Sequence, residues 1–363
     1  MQYKSNFPQV KRRLASLYSK EGTDRIFARF DIGQQVITDY AAEYAEKCKE
    51  KGYPDIAARA AFWDRYLRQY ADLIDDGVPA AYMSELDQGL YAAVTGSKIA
   101  FSFDEKTGWI SSMSYPLDKQ PEEIHPVFDN EGVWYRRYMD QMRVFREASR
   151  GKFGVSHFIL IDGLNFLFEL RGATNTYYDV LENPDFAKRI ANFAFSLNVK
   201  IQNDYFREIG LYEGGTVSNM AGWVPGRIVS ESVDPFHLAS PAFFEQWGRE
   251  NVQMMFDRFD GGVLHLHSNG HHLLESVRSL RGLKAIMLLE ESTAPPPWQK
   301  VGELNEKAQG VPLVVSIPFD SFIQGMDKRS LPGGVLYHVI GAKSAKQANE
   351  AMRQALEYRA SKA

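Results

Sequence analysis

The sequence has one cysteine, no long apolar run and no excess of basic side chains. A single cysteine, Cys48, cannot form an intrachain disulfide or a cysteine-only metal site, so we expect a soluble protein of the reducing cytoplasm. No window approaches the roughly 18–20 apolar residues that span a bilayer, and the first residues lack the apolar core of a secretory signal. Lys and Arg number 42 against 46 Asp and Glu, a formal charge of −4, which argues against a nucleic-acid partner.

Two nucleotide-binding motifs are also missing. No GxGxxG follows the first predicted strand, which argues against a dinucleotide site, and the absence of GxxxxGKS/T argues against a P-loop NTPase. The 363 residues, 44% of them apolar, are enough for one large α/β domain with a substantial core.

Short apolar runs alternate with long amphipathic segments along the chain. Because the runs are mostly continuous, they are typical of parallel strands covered on both faces, and they lie at 26–30, 79–84, 155–161, 216–220, 263–267, 285–290, 313–317 and 335–340. Helices are predicted at about 8–19, 34–51, 55–76, 133–150, 184–208, 241–258, 270–281, 298–309 and 344–361. Eight alternating units favour a single (β/α)8 TIM-type barrel, domain 1–363, over an open doubly wound sheet. Residues 1–75 form its helical N-terminal extension and first strand, and 99–103 with 108–113 predict an inserted β-hairpin.

The strongest local pattern is the segment GGVLHLHSNG. Side chains two apart on a strand share a face, so His265 and His267 are expected to point together into the mouth of the barrel, where active sites of this fold lie. A divalent metal such as Zn²⁺ satisfies both imidazoles. His338 on the last strand is the expected third ligand, and Glu290 or Glu291 a fourth ligand or an orienting partner. The alternative is a histidine pair that binds carboxylates and water without a metal.

Other polar and aromatic residues near predicted strand ends are candidates for binding substrate. Asp162 is a candidate acid or base, or a helix cap. Arg171 is suited to bind a carboxylate, or it pairs with Asp179. Trp223 stacks on a flat ligand or packs in the core. The remaining candidates for cofactor or substrate contacts are Asn165, Asn219 and Glu231.

A series of short motifs resembles the uroporphyrinogen decarboxylase superfamily. Its first part is Asp162-Gly163-Leu164-Asn165 through Leu170-Arg171-Gly172, then Asp179 and Glu182-Asn183-Pro184. Its second part is Asp234-Pro235-Phe236, Ser240-Pro241, Phe243-Phe244 and His265-Leu266-His267 with Gly270. The motifs follow in the superfamily's order, and the resemblance covers roughly residues 75–360.

The resemblance implies a (β/α)8 barrel with its active site in a deep cleft at the carboxyl ends of the strands. Decarboxylases of the superfamily are metal-free and hold substrate carboxylates with an arginine-rich N-terminal segment, which the first strand here, RIFARFD, does not contain. Its corrinoid:thiol methyltransferases bind zinc through an HxC pair and a cysteine on the last strand. His265 matches the histidine, His267 stands at the first cysteine, and His338 lies near the second.

Three imidazoles leave a metal a stronger Lewis acid than thiolates do, so the methyltransferases' thiol chemistry does not carry over unchanged. We expect an enzyme that transfers a methyl group to or from a small-molecule substrate. It would bind Zn²⁺ through the three histidines and use a corrinoid carried by a partner protein. The expected catalytic residues are Asp162, Glu291 and Arg171. One alternative is a metal-free decarboxylase, a lyase acting on a tetrapyrrole-like or smaller carboxylate. Another is a non-catalytic subunit that binds a cofactor-carrying partner. The aromatic-rich helices favour a homodimer. No membrane partner is expected.

Overall fold

A computed structural model describes residues 1–32, 55–83, 88–103, 110–156, 159–161, 163–292 and 294–360. The strands of this part, β1 to β13 in chain order, are Ile26–Phe30, Ala80–Ala81, Ile99–Phe103, Ile110–Ser114, Gly154–Val155, Ile159–Leu160, Gly215–Ser218, Gly222–Pro225, Val229–Ser232, Gly262–His267, Leu283–Leu289, Leu313–Pro318 and Val335–Ile340. Its helices, α1 to α13, are Phe7–Tyr18, Ile56–Arg68, Gln88–Ala93, Val133–Ser149, Gly163–Arg171, Ala173–Glu182, Pro184–Glu208, Pro241–Trp247, Arg249–Arg258, Leu274–Val277, Val301–Ala308, Phe319–Asp327 and Ala345–Glu357.

The centre of the molecule is a parallel sheet of seven strands in the order β1-β13-β12-β11-β10-β9-β6. A parallel pair, β2 with β5, accompanies it, and β5 and β6 are consecutive parts of the third predicted strand. Helices alternate with these strands, so the mixed α/β class is confirmed and is compatible with a barrel. Between the described residues, however, the hydrogen-bond ladders form an arc and do not close into a ring.

The fourth strand of the parallel series was predicted at the wrong place. Residues 216–220 overlap β7, which pairs antiparallel with β8 in a hairpin, and the strand that joins the sheet is β9. The sequence of β9, VSES, contains no apolar run because Ser230 and Ser232 face the interior of the sheet, whereas Glu231 is buried on its other face. The predicted hairpin at 99–113 is confirmed as β3 and β4, and its turn lies outside the described residues.

One end of the sheet interior is filled by the N-terminal helix and the β7–β8 hairpin. Alternate strand residues form an apolar layer there, and the layer consists of Phe27, Val263, Ala285, Val314 and Leu336. The apolar side of α1, including Leu14 and Leu17, packs against this layer together with Val217 and Val224 of the hairpin. Two residues further along three of these strands, on the same face, the side chains are polar, at Arg29, His265 and His338. The amino-terminal end is therefore closed by packing, and the chemistry-bearing residues lie toward the carboxyl ends.

The helices agree with the periodic pattern except at interruptions and in apolar stretches. The predicted helix 241–258 breaks at Gly248, and 270–281 shortens to α10 after a 3₁₀ turn, Ser268–Leu273. Helices α3, α5, α6 and α12 were not predicted. The predicted helix 34–51, with Cys48, lies outside the described residues. No helix that the structure describes has both the length and the apolarity required to cross a membrane.

Candidate metal centre

Two neighbouring strands bring one carboxylate and two imidazoles together. His265 and His267 share the inner face of β10, with ring centroids 5.2 Å apart. Strand β9 pairs with β10 so that Ser232 is opposite His265. Asp234 follows Ser232 by two residues and begins a 3₁₀ turn, and its Oδ1 accepts a hydrogen bond from His265 Nε2 at 2.9 Å. Strand period and ladder register together therefore place the three side chains.

The three side chains offer ligand atoms at metal-binding spacing. One atom each from Asp234, His265 and His267 lies within 4.8 Å of the others. The Nε2 of His267 is 3.6 Å from Asp234 Oδ1. Two neutral imidazoles and one carboxylate form a donor set typical of catalytic zinc sites, which keep a fourth position open for water or substrate. The geometry is thus compatible with a divalent transition metal.

Glu291 lies directly behind His267. The Nδ1 of His267 hydrogen-bonds to Glu291 Oε1, and the ring then presents Nε2 toward Asp234. A carboxylate on the second nitrogen fixes the tautomer of a metal-ligating histidine and increases its basicity. Glu290, one residue earlier, is exposed at the end of β11. Of the two glutamates considered from the sequence, Glu291 is the one that contacts the histidine pair.

The electrostatics of the cluster favour a charged Asp234 with a neutral His237 beside it. Burial alone raises the pKa of Asp234, but the charge and hydrogen bond of His265, with His237 and His267 nearby, outweigh burial and hold that pKa well below its usual range. Burial lowers the pKa of His237 to about 4, against the attraction of Asp234. His237 packs on His267 with ring centroids 5.4 Å apart. The carboxylate is therefore available as an anionic ligand at neutral pH.

A cavity of about 140 Å³ opens beside Asp234. Asn165, one of the predicted binding residues, lines it from α5 and donates from Nδ2 to the Ser232 carbonyl oxygen. Asp162, the predicted acid or base, lies outside the described residues. Asn165 is the one predicted substrate-contact residue that the structure places against the cavity next to the histidine pair.

The predicted third ligand, His338, is not part of this cluster. It lines a different cavity of about 240 Å³ together with Arg29, Tyr70 and Asn219. Burial, with the charge of Arg29, lowers the pKa of His338 to about 3. His338 lies on β13, three strands from β10 in the sheet, whereas Asp234 directly follows β9, the strand adjacent to β10. Of the three predicted histidine ligands, His265 and His267 therefore lie together, and Asp234 rather than His338 is the third group at ligand distance. The Asn219 carbonyl accepts from Arg29 Nη1 at 2.9 Å, which separates Asn219 from the histidine pair as well.

Arg171 is committed to a buried ion pair. Its Nε donates to Asp179 Oδ2 at 2.6 Å and its Nη1 to the Lys119 carbonyl at 2.5 Å. Both side chains are buried, so the pair joins α5 to α6 inside the protein. The expectation that Arg171 binds a substrate carboxylate is corrected, because its donors bond to Asp179 and to the Lys119 carbonyl and it lines neither cavity.

Two further predicted binding residues serve packing. Trp223 is buried under α1, and its indole N–H donates to the Tyr212 carbonyl at 2.7 Å. Glu231 is fully buried, and its register partners on either side, Leu160 and Leu264, belong to the core between the sheet and the helices. The structure therefore removes Trp223 and Glu231 from the group of pocket residues.

Asp234 was the residue that sequence reasoning did not assign to the metal. It precedes His265 by 31 residues, and an Asp-Pro pair in a loop is as typical of a helix start as of a ligand. The missing information was that β9 neighbours β10. A correct assignment of the fourth strand to 229–232 places Asp234 just beyond its carboxyl end, beside His265.

Comparison with known proteins supports the fold class. No protein-family model and no curated protein sequence matches the chain. A methyltransferase from Methanosarcina mazei has a similar structure, with a TM-score of 0.62 over 96% of this chain and 98% of its own. The sequence identity is 12%, so the likeness establishes a methyltransferase-like fold without singling out the uroporphyrinogen decarboxylase superfamily.

Proposed function

We propose that this chain is an enzyme of methyl transfer that binds Zn²⁺ through Asp234, His265 and His267. The observation that carries the proposal is the convergence of these three side chains, with Glu291 behind His267. The fold shared with a methyltransferase supports the reaction class. The ordered motifs support membership of the uroporphyrinogen decarboxylase superfamily.

The donor set fits a catalytic rather than a purely structural zinc site. Structural zinc is closed by four protein ligands, whereas three protein ligands leave room for substrate. Asp234 brings one negative charge, which offsets part of the dication. When bound, Zn²⁺ supplies a Lewis acid that activates a coordinated thiol or water. Among the described residues, Asp234, His265 and His267 have mutually close ligand atoms, and His237 Nδ1 lies 3.6 Å from Asp234 Oδ1 beside them.

Each protein side chain has a separate task. Glu291 accepts the Nδ1 proton of His267, so His267 keeps Nε2 free for the metal. His237 is neutral and packs its ring against His267, which limits rotation of that ligand. Asn165 is tied to the Ser232 carbonyl and forms a rigid wall of the cavity next to Asp234.

A corrinoid-carrying partner is proposed as the other substrate. The cavity rim carries two exposed apolar side chains, Leu238 at 77% and Met113 at 49% exposure, and exposed apolar groups beside a site are typical of contact surfaces. Such a rim suits the docking of a carrier that delivers a methyl group to the cavity. A small molecule inside the cavity then completes the reaction.

The alternatives considered from the sequence are less well supported. A decarboxylase needs a cation for its substrate carboxylate, and Arg171 is already paired with Asp179. A non-catalytic subunit that only binds a cofactor-carrying partner has no need of a carboxylate whose pKa is strongly lowered by histidines at a cavity, as that of Asp234 is.

Metal analysis of protein purified without chelator tests the proposal. We expect about one zinc per chain in the wild type, and loss of zinc in His267→Ala and Asp234→Asn. The matched control is His338→Ala, which removes a half-buried histidine outside the cluster and retains the metal. A wild type without zinc contradicts the proposal, and loss of zinc in His338→Ala with retention in Asp234→Asn contradicts the ligand set. Transfer from methylcobalamin to a thiol, followed by absorbance, tests the reaction.

A further inference from the structure

The cavity beside Asp234 is lined by apolar groups and carboxylates. Apolar and aromatic groups dominate it, among them Met113, Phe168, Tyr177 and Leu238. The charged groups of the lining are the carboxylates Glu169 and Asp234, and among the described residues no Lys, Arg or His lines this cavity. A ligand that fills the cavity therefore meets apolar walls and negative charge.

Glu169 is built into the cavity wall and held in one orientation. Its residue is 7% exposed, and its Oε2 accepts from the Ser114 backbone N–H at 3.1 Å and from Ser114 Oγ at 2.7 Å. No described residue donates a hydrogen bond to its other oxygen, Oε1. One half of the carboxyl is thus anchored, and the other half lines the cavity with its acceptor capacity unused.

Burial makes this carboxyl costly to ionise without a cation. Burial raises the pKa of Glu169, although the two bonds from Ser114 act in the opposite direction. Arg171, two residues along the same helix, does not compensate, since it pairs with Asp179. A positively charged ligand group next to Oε1 supplies the missing counter-charge.

We propose that this cavity binds the ammonium group of a small, positively charged substrate of the methyl-transfer reaction. The ammonium donates to Glu169 Oε1, and the rings of Phe168 and Tyr177 supply faces that attract a cation. The opposite end of the ligand reaches Asp234 and hence the metal centre. The inference rests on the proposed function for that second contact, while Glu169 alone builds the ammonium site.

The volume limits the size of the ligand. A cavity of about 140 Å³ is close in size to an engineered cavity of about 150 Å³ that binds benzene. A ligand no larger than benzene therefore fits inside, and larger molecules must extend past the rim at Leu238. Anionic ligands of the same size are disfavoured by the Glu169 carboxylate.

Calorimetric binding of three matched probes tests the charge preference. Ethanolamine, ethylene glycol and glycolate have nearly the same size and share a hydroxyl end, but at pH 7 they are cationic, neutral and anionic. We expect ethanolamine to bind about tenfold or more tightly than the other two, since a charged hydrogen bond is lost with each of them. Equal binding of the three probes, or tightest binding of glycolate, overturns the inference.

Two variants and one control locate the preference. Glu169→Gln keeps the acceptor for Ser114 and removes the charge, so the preference for ethanolamine disappears. Phe168→Leu weakens ethanolamine binding several-fold and leaves glycol binding unchanged, which provides a second test if Glu169→Gln folds poorly. Glu182→Gln, an exposed glutamate of the next helix, retains the full preference. An unchanged preference in both Glu169→Gln and Phe168→Leu overturns the assignment.

The same titrations in zinc-loaded and chelator-treated protein separate this inference from the proposed function. Ethanolamine preference in a protein that binds no zinc supports the ammonium site and contradicts the metal-dependent function. Zinc binding without any ethanolamine preference contradicts the ammonium site and leaves the metal centre intact.

Discussion

Replacement of Lys4 tests whether the buried ion pair beneath the first strand stabilises the fold. The side chains of Lys4 and Asp75 are 1% and 3% exposed, and they form a direct salt bridge. Lys4 Nζ also donates to the Leu73 carbonyl at 3.0 Å, and Asp75 Oδ2 accepts from the Phe30 backbone N–H at 2.7 Å. Asp75 therefore connects the N-terminal segment to β1, the strand that carries Arg29.

The substitution Lys4→Met keeps most of the side-chain volume and leaves Asp75 as a buried charge with one backbone donor. Removal of one partner of a buried pair costs about 3–5 kcal/mol. At about 2.1 cal/mol/K per residue, unfolding of 363 residues has an entropy near 0.8 kcal/mol/K. We therefore expect the thermal midpoint to fall by about 4–7 °C.

Thermal and urea unfolding of matched variants measure this effect. The control is Lys307→Met, which breaks the exposed Lys307–Glu303 pair on one helix and is expected to leave the thermal midpoint nearly unchanged, because water and salt screen exposed ion pairs. The double variant Lys4→Met/Asp75→Leu removes both charges, and its loss is expected to be smaller than the sum of the single losses. A Lys4→Met midpoint within 1 °C of the wild type, or additive losses in the double variant, refutes the reasoning.

Three further predictions concern the two cavities and the packing around them. Burial and Arg29 lower the pKa of His338 from 6.5 to about 3, so the unfolded chain takes up the proton first as the pH falls. The free energy of unfolding therefore decreases below pH 6.5, by at most about 2 kcal/mol between pH 7 and pH 5. Urea unfolding of His338→Asn shows a weaker pH dependence, and a pH dependence equal to that of the wild type or of the exposed-site control His125→Asn refutes the shift. Trp223→Phe loses the indole hydrogen bond and some side-chain volume, so the free energy of unfolding falls by about 1–2 kcal/mol. Zinc content stays unchanged, and loss of zinc contradicts the packing role of Trp223. A Cβ at Gly270 lies 2.2 Å from the His237 ring, so Gly270→Ala destabilises by about 1–3 kcal/mol in thermal melts. The cost shrinks in a His237→Ala background, and an unchanged cost there contradicts the steric cause.

The strands and helices with a clear hydrophobic period were predictable, and polar or mixed segments were not. Strand β10 follows from an apolar run of period two, and its two histidines share a face for the same reason. Strand β9 was missed because its inward residues are serines and its buried outward residue is Glu231. Helix α5 was missed because nearly all of its residues are buried, which removes the polar face that marks an amphipathic helix.

The candidate site was half predictable for the same physical reason. The pairing of His265 with His267 is local, since two residues on one strand determine it. The contact of His265 with Asp234 is nonlocal and depends on which strand lies beside β10. His338 satisfied the motif comparison, but strand order places it next to Arg29 instead.

The closure of the sheet interior by α1 and the β7–β8 hairpin has a consequence for synthesis. Tyr18, at the end of α1, donates its hydroxyl proton to the Ala221 carbonyl, 203 residues later in the chain. At roughly 5–20 residues per second, the ribosome needs about 10–40 s to make that partner after α1 has emerged. During this interval the apolar side of α1 has no partner from the hairpin. Until the hairpin is made, the apolar side of α1 is therefore open to chaperones and to aggregation.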